Sequence, residues 1–343
     1  MNRSTMGLTR RFALRVPALA VLGLLALASP QAQAGFALGD AANYIILYEG
    51  GNSASQLSIN NFGTTGIWIG DIGIAGVGRL AATGPGTLNG DINFSALNTG
   101  QASISNTTVN GTVNYGVAQV QLDMSDLNSL SSLLGAELGT ALAINTSSDQ
   151  TVLTSTGMLD AGGNRVFTVA SVNTGNGENL IIRSDGTQNV VFNVNTPGDA
   201  QFHGNILLQD LAGIAYGDAG YTGLSPNQVL FNLYAGAALG GGDTLSANNN
   251  GNNAHPANII YGTFLDPNGA ISFVNTRFVG HIFGGDSVNM QIVSGDTLTL
   301  PAIPPRQTVP EPSTLATALL GLALLGLARV RRTDRRILGR APH

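Results

Sequence analysis

Between residues 35 and 300 the chain is dominated by short segments in which apolar and polar residues alternate, such as 56–61, 67–74, 87–94 and 102–109. A period of two, broken by turn residues roughly every 8–12 positions, is typical of short, half-buried strands. Small residues at alternate sites and Asn-Gly at the corners favour a solenoid, in which each coil buries its apolar side chains on the next. The prediction is an all-β fold, a right-handed parallel β-helix with an irregular repeat.

The hydrophobic period changes once before the C-terminal tail. Apolar residues from Val120 to Leu138 are spaced by three or four, which predicts an amphipathic α-helix. Ser125 or Asp126 is expected to cap this helix, and Gly139 to end it. We expect the helix to cover one end or one flank of the sheet stack, where it would hide strand edges.

Strand patterns resume beyond the helix, and two of them are similar. Segments 189–194 and 228–233 both place Asn after Phe. Asn193 and Asn232 are therefore predicted to stack as an inward ladder of side-chain amides. The Gly- and Asn-rich segment 240–256 is predicted to be a surface loop.

The charge of residues 35–305 narrows the classes of partner. This segment has four arginines and no lysine against 18 acidic residues, a net charge of −14. Such a surface repels phosphate backbones and anionic lipid headgroups, so no nucleic acid partner is expected. The chain also has no cysteine, which excludes disulfides, zinc-thiolate sites and a thiol nucleophile. No cofactor is expected.

The first 34 residues have the features of a secretory signal peptide. An apolar run over residues 16–28 follows four arginines, Arg3, Arg10, Arg11 and Arg15. Ala32-Gln33-Ala34 is a small-x-small cleavage site before Gly35. The pattern predicts an N-terminal signal helix that is removed on export.

The end of the chain combines three features in a fixed order. The motif Val309-Pro310-Glu311-Pro312-Ser313-Thr314 follows a Pro-rich linker, residues 301–308. An apolar run of 14 residues, 315–328, comes next, and the stop-transfer arginines Arg329, Arg331 and Arg332 follow. This order predicts a C-terminal transmembrane helix. Because roughly 20 residues span a bilayer comfortably, either Arg329 would have to snorkel or Ser313 and Thr314 would have to enter the interface. A plain membrane anchor is the alternative.

The same three features resemble the PEP-CTERM sorting signal of Gram-negative bacteria that make exopolysaccharide. By that resemblance, residues 309–336 are the signal, and Pro310, Glu311 and Pro312 are its recognition residues. The resemblance implies an exosortase partner, a membrane transpeptidase that cuts near the motif. The protein would lie transiently in the inner membrane and then reach the cell surface or the extracellular matrix.

A second resemblance covers most of residues 38–295. The start of the chain after the signal peptide, and three later segments in this order, look like the choice-of-anchor A domain: 38–44, 229–233, 262–270 and 280–285. That resemblance implies an adhesive β-helical domain over residues 35–300. The opening Leu38-Gly39-Asp40-Ala41 is also similar to the start of ice-binding solenoid proteins.

No constellation of catalytic residues is evident. The four histidines, His203, His255, His281 and His343, have no metal-ligand spacing and are expected at the surface or at strand edges. Asp71, Asp91 and Asp266 lie beside Gly or in turns and have the oxygen ligands that calcium takes. Their commoner role is to cap backbone amides in turns. No nucleophile elbow, phosphate loop or dinucleotide fingerprint is present.

These observations favour a non-enzymatic, exported surface protein that adheres to a surface or binds extracellular polysaccharide in a biofilm. Many weak polar contacts along a regular face would add up to useful avidity. A β-helical carbohydrate-active enzyme stays open, because its carboxylates meet only in space. Ice binding is the third hypothesis and ranks last, since Thr residues do not recur at a fixed interval along the chain.

Overall fold

The computed structural model describes residues 36–60, 67–146, 148–175, 177–196, 198–234, 244–248, 258–286, 288–293 and 296–301. The predicted signal cleavage site, the sorting motif, the stop-transfer arginines, His255 and His343 lie outside these residues. Within the described residues, none of the helical structure is both long and apolar enough to span a membrane. Residues 33–306 form one compact unit.

The described residues form short strands, a few 3₁₀ turns and the helix α1 (Ala118–Gly135). The strands are β1 (Tyr44–Tyr48), β2 (Gln56–Asn60), β3 (Ile67–Ile69), β4 (Asp71–Ile74), β5 (Arg79–Thr83), β6 (Thr87–Asn89), β7 (Ile92–Phe94), β8 (Ala102–Ser105), β9 (Thr108–Val109), β10 (Val113–Tyr115), β11 (Thr140–Thr146), β12 (Gln150–Leu153), β13 (Met158–Leu159), β14 (Arg165–Thr174), β15 (Asn179–Ser184), β16 (Val190–Val194), β17 (Ala200–Phe202), β18 (Asn205–Asp210), β19 (Val229–Asn232), β20 (Thr244–Asn248), β21 (Asn258–Asp266), β22 (Ala270–Val274), β23 (Thr276–Gly284), β24 (Met290–Val293) and β25 (Thr297–Thr299).

The strands stack in three parallel ladders that form the sides of a solenoid, which confirms the predicted parallel β-helix. Sheet A runs in the order β10, β7, β4, β1, β23, β21, β19, β16, β14, β11. Sheet B runs β8, β5, β2, β24, β22, β20, β17, β14, β11. Sheet C runs β9, β6, β3, β25, β23, β21, β18, β15, β12. The longer strands β11, β14, β21 and β23 turn a corner and serve two sheets.

The order of coils in the stack differs from their order in the chain. β1 lies in the middle of sheet A, where Ile46 is opposite Ile282 of β23. The first coils build outward from β1 to β10, and α1 then takes the chain to the other end. Coils from β11 onward build back until β23, β24 and β25 close against β1, β2 and β3. The domain is thus two half-solenoids that meet at a seam between the first and last coils.

Helix α1 lies on the outer surface of sheet A. Its Val120, Met124 and Leu127 pack with outward side chains of the sheet, including Leu47 and Phe283. Eighteen residues rise about 27 Å, and neighbouring strands lie about 4.8 Å apart, so the helix crosses about five strand spacings. This length matches the distance from β4 to β16, both of which it contacts. The predicted flanking helix therefore buries the middle strands of sheet A on both sides.

A backbone hydrogen bond to sheet A fixes the start of α1. The predicted bounds are wrong: Ser125 and Asp126 lie inside the helix, and Gly139 lies beyond its end. Val117 precedes the helix without a side-chain cap, and its N–H donates to the carbonyl of Phe94 at 2.9 Å. The chain therefore turns directly from β10 into α1, and no capping residue is needed to fix the start.

Asn193 and Asn232 stack as predicted, but on the outer side of sheet A and not in the solenoid interior. The adjacent phenylalanines take the interior positions, and strand alternation sends both amides outward under α1. The amide of Asn232 donates to Oδ1 of Asn193 and to the carbonyl of Ser131, each at 2.9 Å. The amide of Asn193 donates to the carbonyl of Leu134 at 2.5 Å. The pair therefore fixes the C-terminal turn of α1 to the sheet.

The interior of the C-terminal half-solenoid contains an aromatic stack. Phe167, Phe192, Phe231 and Phe264 lie one above the other, with successive ring centroids 5.3, 4.8 and 4.8 Å apart. They align because the parallel strands that carry them pair in register. One ring per coil thus extends the core along the stack.

The segment predicted to be a surface loop contains a strand of sheet B. Thr244–Asn248 form β20, between β17 and β22. Leu245 and Ala247 are fully buried, which explains why this short stretch joins the stack. Residues 235–243 and 249–257 lie outside the described part of the chain.

The seam contains a buried carboxyl group, that of Asp296. This residue is 0% exposed, and its Oδ1 accepts a hydrogen bond from the backbone N–H of Thr276. Its backbone carbonyl accepts from Nε1 of Trp68 at 2.9 Å, so the residue links the last coil to the first. Burial raises the pKa of Asp296 to about 8.

We predict that Asp296→Asn flattens the pH dependence of stability. A carboxyl group with a raised pKa binds its proton more tightly in the native state. Its stabilising contribution is complete below the ordinary carboxyl pKa and is lost as pH rises to about 8. Wild type should lose up to roughly 1.4 kcal/mol of unfolding free energy per pH unit in that window. Urea titrations between pH 4 and 8 measure the difference, and equal slopes would contradict the prediction.

We predict that Asn232→Ala lowers the unfolding free energy by about 1–3 kcal/mol. The substitution leaves the buried carbonyl of Ser131 and Oδ1 of Asn193 without the amide that donates to them. Asn110→Ala is the matched control. Its amide donates to Asn89 at 2.6 Å in an exposed pair, and its loss should cost less than about 0.5 kcal/mol. Denaturant titration measures both, and equal losses would mean that the buried pair does not hold the helix.

Candidate functional surface

The three sides of the solenoid differ in what they offer to a ligand. The outer surface of sheet A is covered by α1 from β4 to β16. Sheet C is uneven: Tyr216 packs over Tyr261 with ring centroids 5.1 Å apart. Further along the same sheet Ile67 and Ile69 are about half exposed, at 51% and 49%. Sheet B is left as a regular side without a covering element among the described residues.

One column of side chains runs along the outside of sheet B from end to end. The strand registers place these residues in adjacent positions: Ser103, Ala81, Ser58, Gln291, Ser272, Ser246, Gln201, Asn173 and Asn145. All are exposed or half-buried, while their strand neighbours, such as Leu57 and Ile271, face the core. We call this set the B column. Strand spacing puts successive members about 4.8 Å apart.

The B column contains no charged and no aromatic side chain. Among the described residues that pair in sheet B, Arg79 at the start of β5 is the single charged one, since Arg165 lies in the part of β14 that pairs in sheet A. A second column beside it is also uncharged, and there Thr83 donates its hydroxyl to Asn60 at 2.9 Å. The B column therefore offers a hydroxyl or amide group at every position except Ala81, without the tightly held hydration of ions.

Of the aspartates with the oxygen ligands that calcium takes, Asp71 and Asp91 accept hydrogen bonds from backbone amides. Oδ1 of Asp71 accepts from the N–H of Asp91 at 2.8 Å, and Oδ1 of Asp91 accepts from the N–H of Thr112 at 2.7 Å. These carboxylates tie one coil to the next at the corner before sheet A. Asp266 is buried at the end of β21, away from this corner. The described residues contain no cluster of three or more metal ligands.

His281 is buried, so the expectation that it lies at the surface or at a strand edge is wrong. Its Nδ1 donates to the carbonyl of Tyr44 at 2.7 Å, and its Nε2 lies 2.9 Å from the side-chain amide of Asn227. Burial lowers the pKa of His281 to about 4, so the ring is neutral at physiological pH. It connects the seam to the β18–β19 connection and has a structural role. His203 is half-buried, and burial lowers its pKa as well.

A shallow groove of ≈ 410 Å³ lies beside α1. Its lining includes Asn128, Ser131, Ser132, Tyr234 and Asn268, and no carboxylate. Glycoside hydrolysis needs two carboxyl groups across the scissile bond. The groove therefore does not provide the converging carboxylates that the enzyme hypothesis requires.

Comparison with protein families identifies the tail. Residues 308–332 match the model of the PEP-CTERM protein-sorting motif. The motif implies an exported protein that an exosortase processes and that is sorted to the cell surface of a Gram-negative bacterium. The match leaves residues 35–300 uncovered, so the choice-of-anchor A resemblance stays a prediction. No curated protein matches the chain.

Among solved structures, the chain is similar to ice-binding proteins at low identity. One is from the Antarctic ascomycete Antarctomyces psychrotrophicus, at 13% identity and TM-score 0.42 over 77% of this chain and 98% of that one. Another is LeIBP from an Arctic yeast, at 14% identity and TM-score 0.46 over 81% of this chain and 100% of that one. A third is the DUF3494 domain of Shewanella frigidimarina ice-binding protein_1, at 14% identity and TM-score 0.42 over 78% of this chain and 98% of that one. All three TM-scores lie below 0.5.

We predict that Glu311→Ala prevents processing of the tail, because it removes the one carboxylate of the matched motif. Mass spectrometry of the mature protein should show the tail retained. Asp334→Ala is the control, since Asp334 lies outside the matched residues. Normal cleavage of the Glu311 variant would show that this side chain is not recognised.

Proposed function

We propose that this protein is displayed at the cell surface and binds an extended, uncharged extracellular polysaccharide along sheet B. The observation that carries the proposal is the B column, an unbroken row of uncharged side chains along the whole stack. Its regular spacing suits a polymer that repeats along its length. The sorting motif supports an extracellular location for that ligand.

The physical basis is repetition of weak contacts. One hydroxyl or amide hydrogen bond to a ligand contributes only about 0.5–1.5 kcal/mol, because it replaces a bond to water. Because the row is rigid, many such bonds can form together, and no additional entropy is lost in ordering each protein group separately. The net charge of −14 over residues 35–305 repels anionic polymers, which favours a neutral polysaccharide.

Ice is the second candidate ligand, and one observation favours it. Small polar residues that are irregular along the chain become regular in the stack, as Ser58, Ser272 and Ser246 do on sheet B. The objection that no hydroxyl array recurs at a fixed interval applies to the chain and not to the folded surface. Gln and Asn within the B column make it less even than a row of threonines, so we rank polysaccharide first.

We predict that Gln291→Lys weakens polysaccharide binding about tenfold, equivalent to about 1.4 kcal/mol, because it places a cation in the middle of the uncharged column. Gln121→Lys is the matched control, an exposed residue on the outer side of α1. The measurement is co-sedimentation of residues 35–305 with the producer's own exopolysaccharide, with released sugars followed in the same tube.

The outcomes separate the hypotheses. Binding without sugar release, lost in Gln291→Lys only, supports the proposal. Sugar release would indicate an enzyme. No polysaccharide binding, together with slower ice growth that Gln291→Lys abolishes, would favour ice. Binding that both variants retain would show that sheet B is not the surface used.

A further inference from the structure

One corner of the solenoid carries a long insertion. The chain turns repeatedly from sheet C into sheet A. β21 makes this turn without a break, and residues 185–189 are enough to join β15 to β16. Between β18 and β19, however, residues 211–225 form the longest described stretch without helix or strand, which we call the 211–225 loop. The stack does not need this loop to turn the corner, and long loops of compact domains commonly have a function of their own.

A buried carboxylate fixes the 211–225 loop. Asp210, at the end of β18, is 2% exposed. Its Oδ1 accepts from the N–H of Ile214 at 2.9 Å, and its Oδ2 accepts from the N–H and the hydroxyl of Thr222 at 3.3 and 3.2 Å. The N–H of Tyr216 donates to the carbonyl of Leu208 at 3.0 Å, so the loop folds back onto β18. The loop therefore has a definite shape that positions its side chains.

The loop brings two tyrosines to a third one on sheet C. The ring centroid of Tyr216 lies 5.1 Å from that of Tyr261 and 5.6 Å from that of Tyr221. The hydroxyl of Tyr221 donates to the carbonyl of Leu224 at 2.5 Å, which fixes Tyr221 beside Tyr216. The hydroxyls of Tyr216 and Tyr261 have no hydrogen-bond partner among the described residues, and both side chains are half-buried. Two neighbouring hydroxyls are thus available to a ligand.

Charges of both signs lie beside these rings. Asp218, in the middle of the 211–225 loop, and Arg277, on β23, are both exposed. Arg277 is diagonal to Tyr261 across the pairing of β21 with β23, within reach of its ring. Burial raises the pKa of Tyr261, Arg277 opposes this rise and Asp218 adds to it, so both charges are close to the hydroxyl. We call Tyr216, Tyr261, Asp218 and Arg277 the tyrosine site.

The chemistry of the tyrosine site fits a sugar ring. Arg277 only donates hydrogen bonds and Asp218 only accepts them, while the tyrosine hydroxyls do both. A ligand with a net charge of either sign would meet a like charge at this site. The best match is a neutral ligand with hydroxyl groups along its edge and an apolar face for the aromatic rings. A pyranose ring has all three properties.

We propose that the tyrosine site binds one neutral sugar ring of the polysaccharide, in addition to the contacts along sheet B. The site lies on a different side of the solenoid from the B column. Its ligand is therefore a short part of the polymer, such as a chain end, and not the extended segment that follows the column. This inference rests on the proposed function for the class of ligand, but not on sheet B as the binding surface.

The test measures how a neutral trisaccharide binds to the full-length protein in detergent, by isothermal titration calorimetry. The trisaccharide is made by partial hydrolysis of the producer's own exopolysaccharide. We expect binding to wild type, and an affinity about tenfold lower in Tyr216→Ala, which removes an aromatic ring from the site. Tyr115→Ala is the matched control, because Tyr115 is also half-buried and its ring stacks on Phe94 in sheet A, at 4.9 Å.

Further variants keep the ring of Tyr216 in place. Asp218→Asn should weaken binding about threefold or more, because it replaces a charged acceptor of sugar hydroxyls. Asp126→Asn, the same change at an exposed position of α1, should leave the affinity unchanged. Tyr216→Phe loses only the hydroxyl, so its affinity should lie between those of wild type and Tyr216→Ala. Far-UV circular dichroism checks that each variant keeps the β-helix.

The results separate this inference from the proposed function. Trisaccharide binding that weakens in Tyr216→Ala and Asp218→Asn, but not in their controls or in Gln291→Lys, supports the tyrosine site. Equal affinity in wild type, Tyr216→Ala and Asp218→Asn would place the sugar elsewhere and overturn the inference. Absence of trisaccharide binding, while the whole polymer binds and Gln291→Lys weakens it, would overturn the inference alone. A wild type that binds neither the trisaccharide nor the polymer would overturn both.

Discussion

The rest of the structure depends on the backbone pairing between the first and last coils. β1, β2 and β3 complete one side of the seam, and β23, β24 and β25 complete the other. The contact joins residues more than two hundred positions apart, so the N-terminal coils have a neighbour on this side only after the whole domain has been built. Trp68 and Asp296 add side-chain contacts across the same seam.

The seam also determines where the chain enters and leaves. In sheet A, β1 already lies against β23, so no position remains for another strand after β25. The chain therefore leaves the domain at Pro301, in the middle of the stack, where Leu300 donates to the carbonyl of Ile69 at 3.0 Å.

Helix α1 decides which surface is available for binding. It must run along the stack to connect the two half-solenoids, and its apolar side chains need the outer side of sheet A. The amides of Asn193 and Asn232 fix its last turn there. Burial of the middle of sheet A by the connecting helix leaves sheet B as the regular side that a ligand can reach.

The sequence by itself determined the local elements and the destination of the protein. Alternation in segments such as 67–74 was enough to predict strands and a solenoid, because one buried face imposes a period of two. The motif at 309–314 was enough to predict sorting, because its recognition depends on adjacent residues. Only the tertiary structure decided that Asn193 faces outward, that 244–248 is a strand, and that Ser58 is stacked against Gln291. These features depend on which coil lies beside which, and that order is set by a long-range seam that no local pattern encodes.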